Sequence, residues 1–265
     1  MTAGWDGLTR ELDAWAAAGR TAALWWRDDD AGAPCPALER LLDLAAESGA
    51  PLALAVIPAR AGEPLAATLE RHAADTAVLQ HGVAHANHAP AGAKNCELVD
   101  PARRPELPAE LRRCRRHLEG LFGARFRPVM VPPWNRIAET LIAALPALGF
   151  AGLSTYKARA GGAPLPGLQQ VNCHVDILQW RPERRFVGSE AALALLTGHL
   201  AAKRAGTADA GEPSGILSHH QVHDAAAWDF LAALLNRLAR HPAVRLLPAE
   251  QVFAAPPAAA GTAVR

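Results

Sequence analysis

Residues 22–30 read AALWWRDDD, so an apolar run of strand length passes directly into three consecutive aspartates. A similar run at residues 77–79 is followed by His81 and His85, which form a His-x-x-x-His pair. Adjacent carboxylates repel one another, and each stays ionised only if a cation or several hydrogen-bond donors hold it. Two strand ends therefore offer the groups of a metal site. An acidic turn, continued by residues 31–34 into a helix, explains the aspartates equally well when they are taken alone.

The composition sets the broad class of the protein. The chain has 265 residues, of which 50% are hydrophobic and 20% charged, so it can bury a sizeable core, and we expect one domain over residues 1–265. A net charge of +1 argues against a nucleic-acid partner. No apolar run reaches membrane-spanning length and no secretory signal pattern is seen at the N-terminus, so we expect a cytoplasmic protein. The four cysteines form no C-x-x-C pair, which favours free thiols.

Apolar runs of strand length alternate with helical patterns along the chain, which is typical of a parallel sheet built from βα units. The predicted strands cover residues 22–26, 52–57, 77–80, 128–131, 152–155, 169–175 and 215–218. The predicted helices cover residues 36–47, 64–74, 108–122, 137–148, 190–203 and 226–240. We expect a long loop on the ligand side at about 88–105 and a loosely ordered tail after about 254. The pattern predicts an α/β fold.

Chemically active side chains follow the strands at one end only. This set comprises Asp28 to Asp30, His81, His85, Trp134, Asp176 and His219. In barrels of parallel strands, catalytic groups gather at the carboxyl ends of the strands. A random scatter of surface polar residues would not select that end of every strand, so the pattern favours a functional site over an acidic turn.

The arrangement resembles the NodB-type polysaccharide deacetylases, carbohydrate esterase family 4, and more closely their divergent bacterial relatives with an Arg-x-Asp-Asp first motif. The resemblance extends from about Leu24 to His220 and implies a single-domain distorted (β/α) barrel of about seven strands. The family's first motif places a catalytic-base Asp directly before a metal-ligand Asp. Residues 27–30 admit two registers: Asp29 as base with Asp30 as ligand, which we favour, or Asp28 with Asp29.

The family's second motif, His-Ser/Thr-x-x-His, is similar to residues 81–85, where Gly82 replaces the hydroxyl residue. The resemblance implies that a divalent cation is held by Asp30, His81 and His85. Two imidazoles and a carboxylate suit Zn²⁺, which we prefer, and also Co²⁺, Ni²⁺ or Fe²⁺.

The family's third motif, Arg-x-Pro-Tyr/Trp, is similar to residues 131–134, but its arginine is absent. In the family that arginine holds the base carboxylate, and either Arg27 or Arg136 is available to replace it. The resemblance implies that Trp134 forms a wall of the acyl pocket, and ordinary packing of this aromatic ring is the alternative. We expect the substrate to be bound by Pro133, Trp134, Arg136 and Trp180.

The fourth motif, Asp-x-x-Asp-Trp, resembles residues 176–180, where Gln179 replaces the second acid. The fifth, Leu-x-His, matches residues 217–219. By this resemblance His219 protonates the leaving amine and Asp176 orients a catalytic histidine or arginine. The strand alternation points His220 away from the face that His219 occupies.

The implied activity is metal-dependent hydrolysis that removes an N-acetyl group from a sugar, in a small molecule or an oligosaccharide. We expect a role in biosynthesis of a surface polysaccharide such as O-antigen or capsule. Two alternatives remain at this point. One is a metal-dependent amidohydrolase acting on another small amide or a cyclic amide, because a fold does not determine a reaction. The other is a non-catalytic relative, suggested by the missing arginine and by Gln179.

Overall fold

Strands and helices alternate along residues 4–159 and 165–254, the part of the chain that the computed structural model describes. The helices in this part are α1 Trp5–Ala17, α2 Pro36–Ser48, α3 Glu63–Arg71, α4 Leu107–Phe122, α5 Glu139–Ala144, α6 Ser189–Arg204, α7 Ala225–Arg240 and α8 Ala249–Val252. The strands are β1 Ala22–Ala31, β2 Leu52–Val56, β3 Thr76–His81, β4 Phe126–Val131, β5 Gly152–Leu153, β6 Gln169–Gln170, β7 Cys173–Asp176, β8 Leu178–Gln179, β9 Arg185–Phe186, β10 Ser214–Ser218 and β11 Val244–Leu246. The predicted loose tail after about 254 lies outside the described residues.

The main sheet is parallel and curls into a barrel. The strands at its two ends are formed by one continuous segment of the chain. Its order is β6-β5-β4-β3-β2-β1-β10-β7, and β11 pairs with the beginning of β1. Strands β6 and β7 are consecutive parts of residues 169–176, so this segment pairs with β5 at one end of the sheet and with β10 at the other. The Cys173 N–H also donates to the Thr155 carbonyl at 3.0 Å, beyond the end of β5. The predicted (β/α) barrel is confirmed.

The two faces of each strand bury different sets of side chains. Trp25 and Leu79 point into the barrel, whereas Leu24, Trp26 and Val78 pack against the helices outside. This double burial explains why the strands read as continuous apolar runs rather than as alternating patterns. It also means that the parity of a residue in β1 decides whether its side chain lies inside or outside the barrel.

Several elements differ from the sequence prediction. The predicted strand at residues 169–175 is interrupted at Val171 and Asn172 and is divided between β6 and β7. The hairpin β8–β9 and strand β11 were not predicted, because such short strands leave no periodic signal in the sequence. With them, the described residues hold more than seven strands. Helix α1 was not predicted. It packs on α6, where the Arg204 guanidinium pairs with Glu11 at 2.8 Å.

The carboxyl ends of the strands bring the predicted site residues to one end of the barrel. Asp30 is near the end of β1, His81 is the last residue of β3, and Asp176 is the last residue of β7. His219 directly follows β10. Among the described helices, none combines the length and apolar character required to cross a bilayer.

Candidate metal and catalytic site

Asp30, His81 and His85 converge above the ends of β1 and β3. One Asp30 carboxylate oxygen lies 3.1 Å from His81 Nε2 and 3.3 Å from His85 Nε2. One ligand atom from each residue lies within 4.8 Å of the other two. The His81 side chain is buried, whereas those of Asp30 and His85 are 24% and 20% exposed. The structure thus brings together the three residues of the predicted ligand set and leaves one side of the group open to solvent.

Asp30 reaches this group because the end of β1 is irregular. In a regular strand, Asp29 and Asp30 would point to opposite faces of the sheet. The pairing of β1 with β2 changes register between Asp28 and Ala31, and Asp30 adopts a φ of 74°. Such a bulge re-aims a side chain, at a conformational cost of ~1–3 kcal/mol for a non-glycine residue in the left-handed region.

The electrostatics of the group favour an ionised carboxylate. Burial opposes the charge on Asp30, but the hydrogen bond from His81 and the neighbouring imidazoles outweigh it and hold the pKa of Asp30 below its usual value. Burial also lowers the pKa of His81, yet the bond to Asp30 and the charges of Asp29 and Asp30 raise it overall. For His85 burial prevails, and its pKa is lowered. A carboxylate that attracts positive charge from two imidazoles is well placed to attract a cation.

The donor chemistry of this group fits a divalent metal ion. His81 Nδ1 lies 2.9 Å from the Val131 carbonyl oxygen. Because a carbonyl can only accept, Nδ1 carries a proton, and Nε2 is the ring nitrogen that faces Asp30 and donates to it. On losing that proton, Nε2 would offer its lone pair to a cation beside the carboxylate. Two imidazole nitrogens and one carboxylate oxygen are a common ligand set of catalytic zinc and related ions, with further positions open to water and substrate.

Asp29 points into the barrel, where Arg27 holds it. Arg27 Nε and Nη2 donate to the two Asp29 carboxylate oxygens at 2.8 and 3.0 Å. The remaining Arg27 N–H groups reach Ser154 Oγ at 2.6 Å, the Thr155 carbonyl at 3.3 Å and Asn135 Oδ1 at 2.9 Å. This fully buried guanidinium therefore has a partner for every donor, and it fixes the plane of the Asp29 carboxylate.

Of the two arginines that the sequence offered in place of the missing motif arginine, Arg27 contacts Asp29 and Arg136 does not. Arg136 Nη1 donates to the Asn95 carbonyl at 2.8 Å and so belongs to the loop region rather than to Asp29. Arg27 stands two residues before the carboxylate that it holds, on the same face of the same strand. Strand alternation makes this i, i+2 contact possible.

His219 lies across the barrel end from the metal group. Its Nε2 is 3.9 Å from Asp29 Oδ2, and its Nδ1 is buried without a hydrogen-bond partner in the described residues. The Trp180 ring packs edge-on against the His219 imidazole, with centroids 4.5 Å apart. Asp176 accepts hydrogen bonds from the Trp180 indole at 2.8 Å and from the Leu178 N–H at 2.9 Å. Asp176 is therefore linked to His219 through Trp180, without a direct hydrogen bond.

The first aspartate of the triplet lies on the other face of β1. Asp28 is fully buried and accepts hydrogen bonds from Ser218 Oγ at 2.6 Å and from the His220 N–H at 3.0 Å, while His220 Nδ1 lies 2.5 Å from its second oxygen. Burial opposes its charge, but the charge and hydrogen bond of His220 outweigh that effect and lower the pKa of Asp28. Asp28 thereby anchors the end of β10 from outside, and this places His219 inside.

The turn after β4 packs against the metal group, by which we mean Asp30, His81 and His85. Trp134 packs against His85 with ring centroids 4.3 Å apart, and Pro133 is buried against Gly82. Trp134 and Asn135 both have positive φ, 54° and 55°, so two non-glycine residues in succession adopt the left-handed region. This turn directs the Trp134 ring toward His85 and the Asn135 amide toward Arg27.

Three site residues were not found by sequence reasoning. Ser154 and Asn135 complete the shell of Arg27, and Glu97 accepts backbone N–H bonds from the turn between His81 and His85. Glu97 lies inside the long loop predicted at 88–105, isolated from any motif. Nothing in its sequence neighbourhood signals that its side chain is buried.

No protein-family model matches the sequence, and a search of curated proteins found no match. Solved structures nevertheless share the fold. A Pseudomonas aeruginosa PAO1 protein described as a polysaccharide deacetylase is 14% identical, with a TM-score of 0.62 and coverage of 89% of this chain and 91% of the other. A Mycobacterium smegmatis protein with the same description is 19% identical, with a TM-score of 0.61 and coverage of 89% and 90%. The peptidoglycan deacetylase PdaC from Bacillus subtilis is 15% identical, with a TM-score of 0.53 and coverage of 88% and 90%. The chain therefore has the (β/α) barrel fold of these proteins.

Proposed function

We propose that this chain is a metal-dependent hydrolase that removes an N-acetyl group from a sugar. The observation that carries the proposal is the meeting of two sets of residues at one end of the barrel. Asp30, His81 and His85 form the ligand set, and Asp29 lies 3.9 Å from His219 beside it. A cation site flanked by one carboxylate and one imidazole is suited to hydrolysis of an unreactive amide.

The residues of the chain divide the chemistry between them. When bound by Asp30, His81 and His85, a divalent ion supplies a Lewis acid that polarises the acyl carbonyl and acidifies water. Asp29 accepts the proton of the attacking water, and Arg27 keeps its carboxylate in one orientation. His219 donates a proton to the nitrogen that leaves, since an amine must depart protonated. Trp180, held by Asp176, fixes the plane of the His219 ring.

Exposed aromatic surface at the site supports a carbohydrate substrate. Trp180 is 39% exposed although its indole N–H is bonded to Asp176. An exposed, immobilised ring beside a catalytic histidine offers an apolar platform for the face of a sugar. A cyclic amide would call for a closed pocket, so the exposure of Trp180 favours the sugar over that alternative. The partly exposed Trp134 ring, against His85, is suited to contact the acyl group.

Arg27 weakens the case for a non-catalytic relative. That alternative rested mainly on the missing motif arginine, and the Arg27 guanidinium makes the bidentate contact to Asp29 that the motif arginine is expected to make. We further propose that the physiological ion is Zn²⁺, with Co²⁺, Ni²⁺ and Fe²⁺ as competent substitutes. A role in surface polysaccharide biosynthesis is the cellular context that the sequence favours.

The proposal is tested by acetate release from N-acetylhexosamine derivatives. The panel contains free monosaccharides, nucleotide-linked sugars and oligosaccharides, and the protein is loaded with Zn²⁺ or Co²⁺. We expect acetate and a free amine in equal amounts from at least one class of substrate. Asp29→Asn serves as the matched control, because it keeps the shape of the side chain and removes the base. Equal acetate release by this variant would point to a contaminating enzyme.

Failure has a defined appearance. A wild-type protein that binds one divalent ion per chain, yet releases no acetate from any member of the panel, would contradict sugar deacetylation. The same samples would then be assayed against cyclic amides. Hydrolysis of a cyclic amide that depends on Asp29 would support the amidohydrolase alternative for this site.

A further inference from the structure

The turn that carries His85 is wrapped around a buried carboxylate. Glu97 is 0% exposed and accepts hydrogen bonds from the N–H groups of Val83, Ala84 and Ala86 at 3.0, 2.8 and 3.1 Å. Three amides between or just after the two histidine ligands thus point at one side chain. In the part of the chain that the structure describes, no cation pairs with Glu97. The hydrogen bonds to its carboxylate in the described residues all come from these peptide N–H groups.

Gly82 makes this arrangement possible. A Cβ atom at position 82 would lie 2.0 Å from Glu97 Oε2 and 2.7 Å from the Pro133 ring, and Gly82 has a φ of 60°. A serine or threonine would therefore displace the carboxylate and adopt a strained backbone. Gly82, which replaces the hydroxyl residue of the motif, is therefore required for the Glu97 carboxylate to fit. In this arrangement a side chain from another segment stabilises the turn.

The turn needs such stabilisation because His85 adopts an unfavourable conformation. Its φ of 57° is in the left-handed region, which costs a residue with a Cβ atom ~1–3 kcal/mol. Bonds from peptide N–H groups to an ionised carboxylate are stronger than those to a neutral acceptor. Glu97 is therefore able to hold a backbone conformation that brings His85 Nε2 to 3.3 Å from Asp30.

We propose that Glu97 is a positioning residue for the metal site: it holds the turn from His81 to His85 in the ligand-binding conformation and thereby raises the affinity for a divalent cation. This inference rests on the proposed function for the identity of the site. The buried Glu97 carboxylate, when ionised and with no cationic side chain paired to it in the described residues, also favours a bound cation electrostatically. Glu97 itself does not contact the reacting atoms.

The test compares metal-free wild type with Glu97→Gln, Glu97→Ala and Glu212→Gln. Glu212 is the matched control, because it is likewise buried and accepts backbone N–H bonds, from Asn172 at 2.8 Å and Arg159 at 3.5 Å, in another part of the fold. Co²⁺ is titrated into each protein and followed by calorimetry and visible absorption. Changing residues that orient metal ligands costs about 10- to 100-fold in metal affinity. We expect ~10-fold weaker binding for Glu97→Gln, ~100-fold for Glu97→Ala, and a change below ~2-fold for Glu212→Gln.

A second measurement is independent of metal and of hydrolysis. Hydrogen exchange of the amides of residues 83, 84 and 86, read by NMR, should be slow in the metal-free wild type and faster in both Glu97 variants. Glu212→Gln should leave these three amides unchanged. Glu97→Gln retains the shape of the side chain and covers the case in which Glu97→Ala does not fold.

Each outcome bears on the inference. Wild-type Co²⁺ affinity in a Glu97 variant whose amides have become fast would overturn it, because the turn would then not need Glu97 to bind metal. Unchanged exchange at all three amides in the Glu97 variants would also overturn it, because Glu97 would then not stabilise the turn. Absence of Co²⁺ binding by the wild type would remove the metal site of the proposed function and the inference with it. That result is distinguished from failure of Glu97 alone by the exchange data.

Discussion

Two regions of the molecule each contain two imidazoles and a carboxylate, and they differ in almost everything else. The metal group consists of Asp30, His81 and His85, at the carboxyl ends of the strands. The outer cluster, which we define as His174, His199 and Glu212, lies where β7 faces α6. There the two imidazole rings stack with centroids 4.1 Å apart, and His174 Nε2 lies 3.2 Å from Glu212.

The two regions differ in the direction in which their imidazole nitrogens and carboxylate oxygens point and in the partners that these atoms already have. In the outer cluster His174 Nδ1 accepts the Gly215 N–H at 3.1 Å, and Glu212 also accepts from Asn172. In the metal group the Val131 carbonyl accepts a hydrogen bond from His81 Nδ1, so that Nε2 is the nitrogen directed at Asp30 and at the place where a cation would bind. Within the described residues, a candidate ligand set forms only at Asp30, His81 and His85. Composition alone therefore does not make a metal site, because the orientation of the donors decides it.

The largest effect is expected from removing a ligand of the metal group, with a change in the outer cluster as the comparison. Asp30→Ala should abolish stoichiometric metal binding and reduce acetate release at least ~10³-fold, because both the ligand and the polarisation of the carbonyl are lost. His199→Gln, in the outer cluster, should retain one ion per chain. Metal content is measured after dialysis by mass spectrometry. An Asp30→Ala protein that retains a full equivalent of metal would contradict the ligand assignment.

The next effect separates binding from chemistry within the metal region. Asp29→Asn should bind Co²⁺ within a few-fold of the wild type but lower kcat by ~10²- to 10⁴-fold, the usual contribution of a general base. Calorimetry and steady-state kinetics on the same preparation check both parts. Loss of metal binding together with activity would instead make Asp29 a ligand and reopen the register of the aspartates.

A smaller effect concerns the guanidinium that orients this base. Arg27→Lys keeps the positive charge but loses the two parallel bonds to Asp29, so we expect kcat to fall ~10- to 100-fold while Co²⁺ binding changes little. Arg116→Lys, on the exposed side of α4, is the matched control and should change neither quantity. An unchanged kcat in Arg27→Lys would show that charge, rather than bidentate geometry, is what Asp29 requires.

The smallest effect belongs to the outer cluster and depends on pH. Burial, together with the charges of His174 and Lys203, lowers the pKa of His199 to about 4 and outweighs the opposite influence of Glu212. The unfolded chain protonates this imidazole near its usual pKa of about 6.5. The unfolded state therefore binds more protons between these values, and the free energy of unfolding falls as pH is lowered through this window.

We expect this loss to reach ~1 kcal/mol between pH 7 and pH 5, after allowance for screening at the partly exposed ring. Urea unfolding of metal-free protein at both pH values measures it. His199→Gln cannot take up the proton and should lose less stability over the same interval. An identical loss in wild type and variant would assign the pH dependence to other groups.

Much of the fold could be predicted from the sequence because parallel strands buried on both faces leave strong apolar runs. The bounds of α2, β2 and α7 lie within one residue of the prediction, and α2 ends at Ser48, before Gly49 in the left-handed conformation. Short strands carry no such signal. Residues 169–176 look like one strand, and only their contacts with β5 and β10 divide them and close the barrel.

The site divides in the same way. The order of apolar runs and ionisable residues along the chain determined that aspartates and histidines would meet at one end of a barrel, since parallel strands place their carboxyl ends together. Tertiary structure decided where each aspartate side chain points. Regular alternation separates Asp28 from Asp29, but a bulge is needed to bring Asp30 beside the histidines. Tertiary packing also brought Glu97 under the His85 turn, because a contact between distant segments depends on the path of the loop and leaves no periodic pattern in the sequence.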